Sequence, residues 1–312
     1  MFLVCGEALY DVFSEGKDAD EDGQVRLLAK AGGSPHNVAI ALARLGCEVA
    51  LASELASDLL GRRLEQQLKR EGVQCQFIRR TAAATPLAVV SLDHAGAAQY
   101  AFHGLEKLQC YPDPHDVDRC QSLFGVHVGS IPIVLSQSAT QLETIVAAAK
   151  DRMLVSFDPN IRLGFEPDVT RWQLAVENLR RQAHLIKASE DDLLQLYGNQ
   201  VSVESIAEKW LDHGCFLVAI TRGAKGATLF SRKHGKIEIE PVFVVVADTV
   251  GAGDSFQAAM LAWLAEHRRT KPLGLSQLGA SELYELGRFA TRASALTCAQ
   301  RGPEFPYRKA LN

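Results

Sequence analysis

The chain has 312 residues, 47% apolar and 22% charged, the composition of a soluble globular protein with a sizeable core. Lys and Arg number 33 against 37 Asp and Glu, a net charge of −4, which argues against nucleic acid as the main partner. No apolar run approaches the roughly 20 residues of a membrane-spanning helix, so no membrane partner is expected.

FLVCGEAL (2–9) reads as a buried strand, and MFLVCGEALYD has neither a basic leader region nor a cleavage site. SPHNVAIALARLG (34–46) reads as a helix, with Ser34 able to cap it, Pro35 suited to the first helical position and Gly46 to the stop. EVALAS (48–53) is a strand and DLLGRRLEQQLKREG (58–72) an exposed helix. The rhythm then repeats: strands at 125–130, 153–158, 184–189 and 216–221, helices at 136–150, 166–182 and 190–198. Strands alternating with helices predict a mostly parallel sheet covered on both faces, with ligands beyond the carboxyl ends of its strands.

Two stretches break the rhythm. Residues 10–31 are polar and acidic, with DADEDG inside, and residues 85–104 hold two strand-like runs joined by HAGAA. Together they predict a small β-sheet lid over the mouth of a single domain spanning 1–312. The seven cysteines are scattered, with no C-x-x-C pair, and the nine histidines lack metal-ligand spacing. Reduced thiols and a cytoplasmic location are expected.

The stretch DTVGAGDSF (248–256) joins a strand candidate, VFVVVAD (242–248), to a helical run at 254–267. Glycines let a ligand approach the backbone closely, and the first N–H groups of a helix lack internal partners and attract anions. Asp254 then stands beside a bound anion, where its carboxylate can take a proton from an attacking hydroxyl. A flexible turn followed by a favourable acid explains the same residues equally well. Neither a P-loop nor a Rossmann fingerprint is present. In AGGSPHN (31–37), Gly32 and Gly33 allow close approach and Asn37 can donate and accept hydrogen bonds. An ordinary loop and cap is the alternative there.

Taken together, Gly-Gly-x-x-x-Asn near the start and D-T-x-G-A-G-D far downstream resemble the ribokinase (PfkB) family of sugar kinases. The resemblance extends through GEALYD (6–11), DPNIR (158–162), KASEDDL (187–193), TRGAKGATL (221–229) and the C-terminal ATRASALTCAQRGPEFP, and leans to the fructokinase-like branch. It implies a three-layer α/β/α core with a β-sheet lid, and transfer of the γ-phosphoryl group of ATP to a sugar hydroxyl. It implies Asp254 as base and Gly251, Ala252 and Gly253 as the anion hole. Asp11, Gly32, Gly33, Asn37, Phe102 and Arg162 become sugar-side residues. Lys187, Ser189, Thr221, Gly223, Gly226, Thr291 and Ala295 become nucleotide-side residues. Mg²⁺ is implied with ATP. K⁺ is allowed, with Asp248 and Val250 as cation ligands and carbonyls near Thr297, Gln300 and Gly302 completing the set.

Two departures stand out. Where many relatives carry Asn-x-x-Glu tied to magnesium, this chain has Ser189 and Asp192, a pair that also reads as a helix capping box. Aspartate can still orient a magnesium-bound water. Gly104 stands where kinases for 2-keto-3-deoxygluconate carry an arginine for the substrate carboxylate, so a neutral sugar ranks above a sugar acid. A ketohexose such as fructose is the leading substrate. Another sugar, 2-keto-3-deoxygluconate, a ribosyl compound or a non-catalytic sensor are the alternatives. A homodimer through the lid edge is compatible with this picture.

Overall fold

The computed structural model describes residues 1–14, 25–92, 98–105, 117 and 120–311. The DADEDG tract, Cys110 and most of the HAGAA joint lie outside them. Nine strands form one sheet in the order β13-β12-β11-β10-β9-β8-β1-β4-β5. These are β1 (Phe2–Cys5), β4 (Val49–Ala56), β5 (Ile78–Thr81), β8 (Gly125–Gly129), β9 (Leu154–Asp158), β10 (Leu185–Ser189), β11 (Leu217–Thr221), β12 (Ala227–Ser231) and β13 (Gly235–Ile239). Strands β5 to β11 pair in parallel, and β12 and β13 close one edge antiparallel.

The parallel strands are buried on both faces, as covering helices require. In β1, Phe2 and Val4 enter one core while Leu3 and Cys5 enter the other. The first core is closed by α1 (Ser34–Arg44), α2 (Leu59–Arg70), α7 (Ala252–Glu266) and α9 (Ala280–Cys298), through side chains such as Leu42, Leu64, Met260 and Leu286. The second is closed by α3 (Ser136–Ala149), α4 (Val169–Arg180), α5 (Glu190–Tyr197) and α6 (Val203–Leu211), with Trp172 and Trp210 fully buried in it. A short helix, α8 (Pro272–Ser276), precedes α9. No helix among the described residues is long and apolar enough to cross a membrane.

Four strands form a second sheet in the order β3-β2-β6-β7: β2 (Leu9–Ser14), β3 (Leu27–Gly32), β6 (Leu87–Leu92) and β7 (Ala98–His103). The outer pairs are antiparallel and β2–β6 is parallel. Alternation in β2 sends Tyr10 and Val12 into the main core and Leu9, Asp11 and Phe13 to a cavity.

Three local expectations are corrected. The strand read at 2–9 is interrupted: β1 stops at Cys5, and Gly6 to Ala8 carry the chain from the large sheet to the small one. The strand read at 242–248 does not form; the segment pairs with no strand, and Phe243 and Val245 are 89% and 90% exposed. Ser34 is not the cap of α1. Gly33 takes that place, at φ 99°, and the Ser34 hydroxyl is used elsewhere.

Candidate active site

The carboxyl ends of the central strands carry Glu7 (after β1), Ser130 (after β8), Asn160 and Arg162 (after β9). Strand β1 lies between β4 and β8, so the chain order reverses there, and a crevice opens at that reversal. A cavity of about 240 Å³ fills it, walled by these residues, by the small sheet and by the start of α7. Asp11, Gly33, Asn37, Phe102, Arg162 and Asp254 all line it. Gly32 stands just behind, where a Cβ would lie 2.1 Å from Asp11 Oδ2. Tyr100 and Phe102 stack with ring centres 5.9 Å apart and both face the cavity, whereas His103 is exposed.

Helix α7 starts from Gly251 at φ 80°, and no side chain caps it. A Cβ on Gly251 would press to 3.0 Å on Pro303 and 3.1 Å on Phe305, so the turn demands glycine twice over. An uncapped helix start presents amides and partial positive charge to an anion. Asp254 sits in this first turn, 8% exposed. Ser34 Oγ donates to its Oδ1 at 2.7 Å, and Asn37 Nδ2 to its Oδ2 at 2.8 Å. Burial raises the Asp254 carboxyl above its ordinary range, opposed by those two hydrogen bonds and by the charges of Lys187 and Arg162. Burial likewise pushes Asp11 up to about 6, with Arg162 opposing and Asp254 adding to it.

A second cavity, of about 340 Å³, lies on the other side of the α7 start. Thr221, Gly223, Gly226, Thr291 and Ala295 line it, as do Ala252 and Gly253. Thr249 and Gly253 line both cavities, so the two meet at the glycine turn. Thr291 Oγ1 is buried there without a partner among the described residues.

Lys187 and Ser189 line neither cavity. Lys187 is buried beneath the glycine turn, where a Cβ on Gly253 would lie 2.9 Å from its Nζ. It donates to Asp158 Oδ2 at 2.8 Å. Burial pulls the ammonium down, but Asp158, Asp192 and Asp254 outweigh it and leave it raised. Burial also pushes Asp158 up to about 6 despite Lys187, with the neighbouring carboxylates adding to the rise. Three carboxylates around one buried cation explain both directions.

Ser189 and Asp192 form a reciprocal capping box on α5. The second Asp192 oxygen accepts from Ile161 N at 2.8 Å, which fastens the DPNIR loop to that helix. Asp248 accepts from Val250 N at 3.1 Å and from Gly302 N at 2.9 Å, tying the glycine turn to the C-terminal loop. No cluster of three or more His, Cys, Asp or Glu suited to a metal occurs among the described residues.

Glu7, Ser34, Ser130 and Asp158 belong to the site without having been singled out in the sequence. Glu7 lay inside the quoted GEALYD motif, and Ser34 beside Asn37, where a capping role accounted for it. Nothing in the sequence marks Ser130.

Comparison with known proteins gives the site its setting. The model of the pfkB family carbohydrate kinases matches residues 2–310. A fructokinase of Rhizobium leguminosarum bv. trifolii is 34% identical over 268 residues, covering 85% of this chain and 79% of that protein. A fructokinase of Xylella fastidiosa with bound ATP superposes with a TM-score of 0.84 at 25% identity, over 99% of this chain and 94% of that one. A Vibrio cholerae O395 fructokinase with fructose, ADP and calcium bound gives 0.80 at 27% identity, over 99% and 97%. With both cavities meeting at an uncapped GAGD helix start and the family match spanning nearly every residue, this chain belongs to the pfkB family of carbohydrate kinases.

Proposed function

We propose that this ATP-dependent sugar kinase phosphorylates a neutral ketohexose, fructose foremost, with Asp254 as the general base. The observation that carries the reading is the position of Asp254: buried, held by Ser34 and Asn37, and set at the turn where the two cavities meet. Sugar occupies the first cavity against Asp11 and Asn37, under the small sheet acting as a lid. ATP occupies the second, with Thr291 and Ala295 on the base side and Thr221, Gly223 and Gly226 along the phosphates. Asp254 accepts the proton as the hydroxyl attacks phosphorus in line, and the amides of Gly251, Ala252 and Gly253 stabilise the charge on the transferring group. Lys187, buried under the same turn, adds positive charge to it. Closure of the lid excludes water.

A neutral substrate is favoured by charge. Glu7 and Asp11 both line the sugar cavity, where an acid would be repelled, and among the described residues that line it Arg162 is the one cation. The fructokinases among the relatives point the same way.

Mg²⁺ arrives on the ATP phosphates and neutralises part of their charge. Asp192, with both oxygens already bonded, would serve it only through water. The Asp248 link between the turn at 250 and the loop at 302 suits a monovalent cation held by neighbouring carbonyls, which makes turnover K⁺-dependent. A homodimer would use the small sheet, whose outer strand β3 exposes Leu27 and Leu28. Six free cysteines among the described residues suit a cytoplasmic setting.

The test is ATP turnover with neutral sugars, sugar acids and nucleosides, in Mg²⁺ with and without K⁺. Fructose is expected to give the highest kcat/KM. Preference for 2-keto-3-deoxygluconate or a nucleoside would overturn the substrate assignment, and no turnover with any of them would favour a sensor.

A further inference from the structure

The GEALYD motif contains a carboxylate that the mechanism above does not use. Glu7 is 1% exposed, yet it is among the residues that line the first cavity. It stands on the three-residue passage between β1 and β2, where the chain leaves the core for the small sheet. One oxygen, Oε1, is committed: Ser130 Oγ donates to it at 2.7 Å and Ser34 N at 3.3 Å. The other, Oε2, is buried with no hydrogen-bond partner among the described residues.

A buried carboxylate oxygen without a partner is costly, and polar groups in that position are satisfied by ligand or water. The cavity that Glu7 borders takes, on the reading above, a polyol, whose hydroxyls donate hydrogen bonds. The committed oxygen fixes the carboxylate plane, because donors from α1 and from the end of β8 hold it on one side. The unpartnered oxygen is therefore held in one place at the cavity's edge, within a small side-chain movement of a bound hydroxyl.

We propose that Glu7 is a specificity-determining residue of the sugar pocket, its Oε2 pairing with one hydroxyl of the bound sugar. The inference rests on the neutral-sugar reading above and deepens it. Burial pushes the Glu7 carboxyl up to about 7, opposed by Ser130 and the Arg162 charge. Above that pH the ionised Oε2 accepts from a hydroxyl, which the amide nitrogen of Glu7→Gln, a donor only, cannot do. Through Ser34, the same carboxylate also borders the Asp254 network, so contact with the sugar must be separated from simple support of the base.

Deoxy sugars make the separation. Wild type and Glu7→Gln are assayed with fructose and with a series of its monodeoxy analogues, with ATP saturating, alongside thermal melting. With the assay run above the Glu7 pKa of about 7, the expected result is a KM for fructose raised about tenfold to a hundredfold in Glu7→Gln, as for loss of a bond to a charged group. The kcat and the KM for ATP stay within about threefold. One monodeoxy analogue should lose affinity with wild type and lose almost nothing further with the variant, which identifies the hydroxyl. Equal losses in wild type and variant for every analogue, or a fall in kcat with KM unchanged, would overturn the proposal and leave Glu7 a support for Ser34. Wild-type inactivity on all neutral sugars would instead defeat the functional reading itself, a result visible before any variant is made. If Glu7→Gln does not fold, calorimetric titration of wild type with the analogues decides. Uniform affinity across the series refutes a directed hydroxyl contact.

Discussion

Replacing Ser34 by alanine removes one of the two hydrogen bonds that hold Asp254. The lost bond is short, 2.7 Å, buried, and made to a carboxylate. A bond of that kind contributes about 1.5–3 kcal/mol, which sets a ceiling of about 10- to 150-fold on the kinetic effect. Asn37 still holds the other oxygen at 2.8 Å, so the loss falls at the lower end, about tenfold in kcat/KM for the sugar. The direction with pH is fixed by the physics. The Ser34 hydroxyl favours the ionised carboxylate; without it burial prevails further and the Asp254 carboxyl rises. Because the base must be ionised, the acidic limb of kcat/KM moves to higher pH. The deficit of the variant is then largest on the acid side and shrinks as pH rises past that limb. The assay is a pH profile of kcat/KM for fructose at saturating ATP, with melting curves to confirm folding. An unchanged limb and unchanged kcat/KM in a folded Ser34→Ala protein would refute the link between this bond and the base.

Three more outcomes follow from the same site. Lys187→Met strands Asp158, one of whose oxygens already lacks a partner among the described residues, and should cost about 3–5 kcal/mol in urea unfolding; adding Asp158→Asn should restore most of it. Failure of the second change to rescue would mean the pair is not the source of the loss. Gly251→Ala forces an L side chain to φ 80° against Pro303 and Phe305, with strain of about 1–2 kcal/mol, and should lower kcat at least tenfold by shifting the helix-start amides; normal kcat would remove the turn from the anion site. Glu7→Gln should alter stability with a definite sign. The folded Glu7 carboxyl, at about 7, lies above its ordinary 4.5, so its favourable contribution is complete below about 4.5 and is lost as pH rises to about 7. Unliganded Glu7→Gln should therefore gain on wild type by up to about 3 kcal/mol across that window, and a flat difference between their unfolding free energies would contradict it.

Much of the fold was legible because the parallel strands are continuous apolar runs set between amphipathic helices. The stretch 242–248 misled for an instructive reason. The run is apolar, but it serves a pocket and not a sheet: Val242, Phe243, Val244 and Val246 all line the second cavity, and no strand pairs with the segment. A short apolar run bounded by turn residues cannot by itself tell a sheet strand from a pocket wall. Ser34 was read as a cap because serine before Pro35 fits one. The competing demand, a buried carboxylate 220 positions away, is invisible to local rules. The Ser189–Asp192 capping box needed only its own four residues and was read correctly. Asp158 and Lys187 show the same limit as Ser34, since their pairing depends on β9 and β10 lying side by side.

The most direct measurement is phosphoryl transfer to fructose by Asp254→Asn, with fructose binding measured on the same protein by calorimetry. A general base removed from a positioned site predicts a fall in kcat of about 10²–10⁴ with fructose affinity within a few-fold of wild type. Turnover within a few-fold of wild type would contradict the assignment of Asp254 as the base.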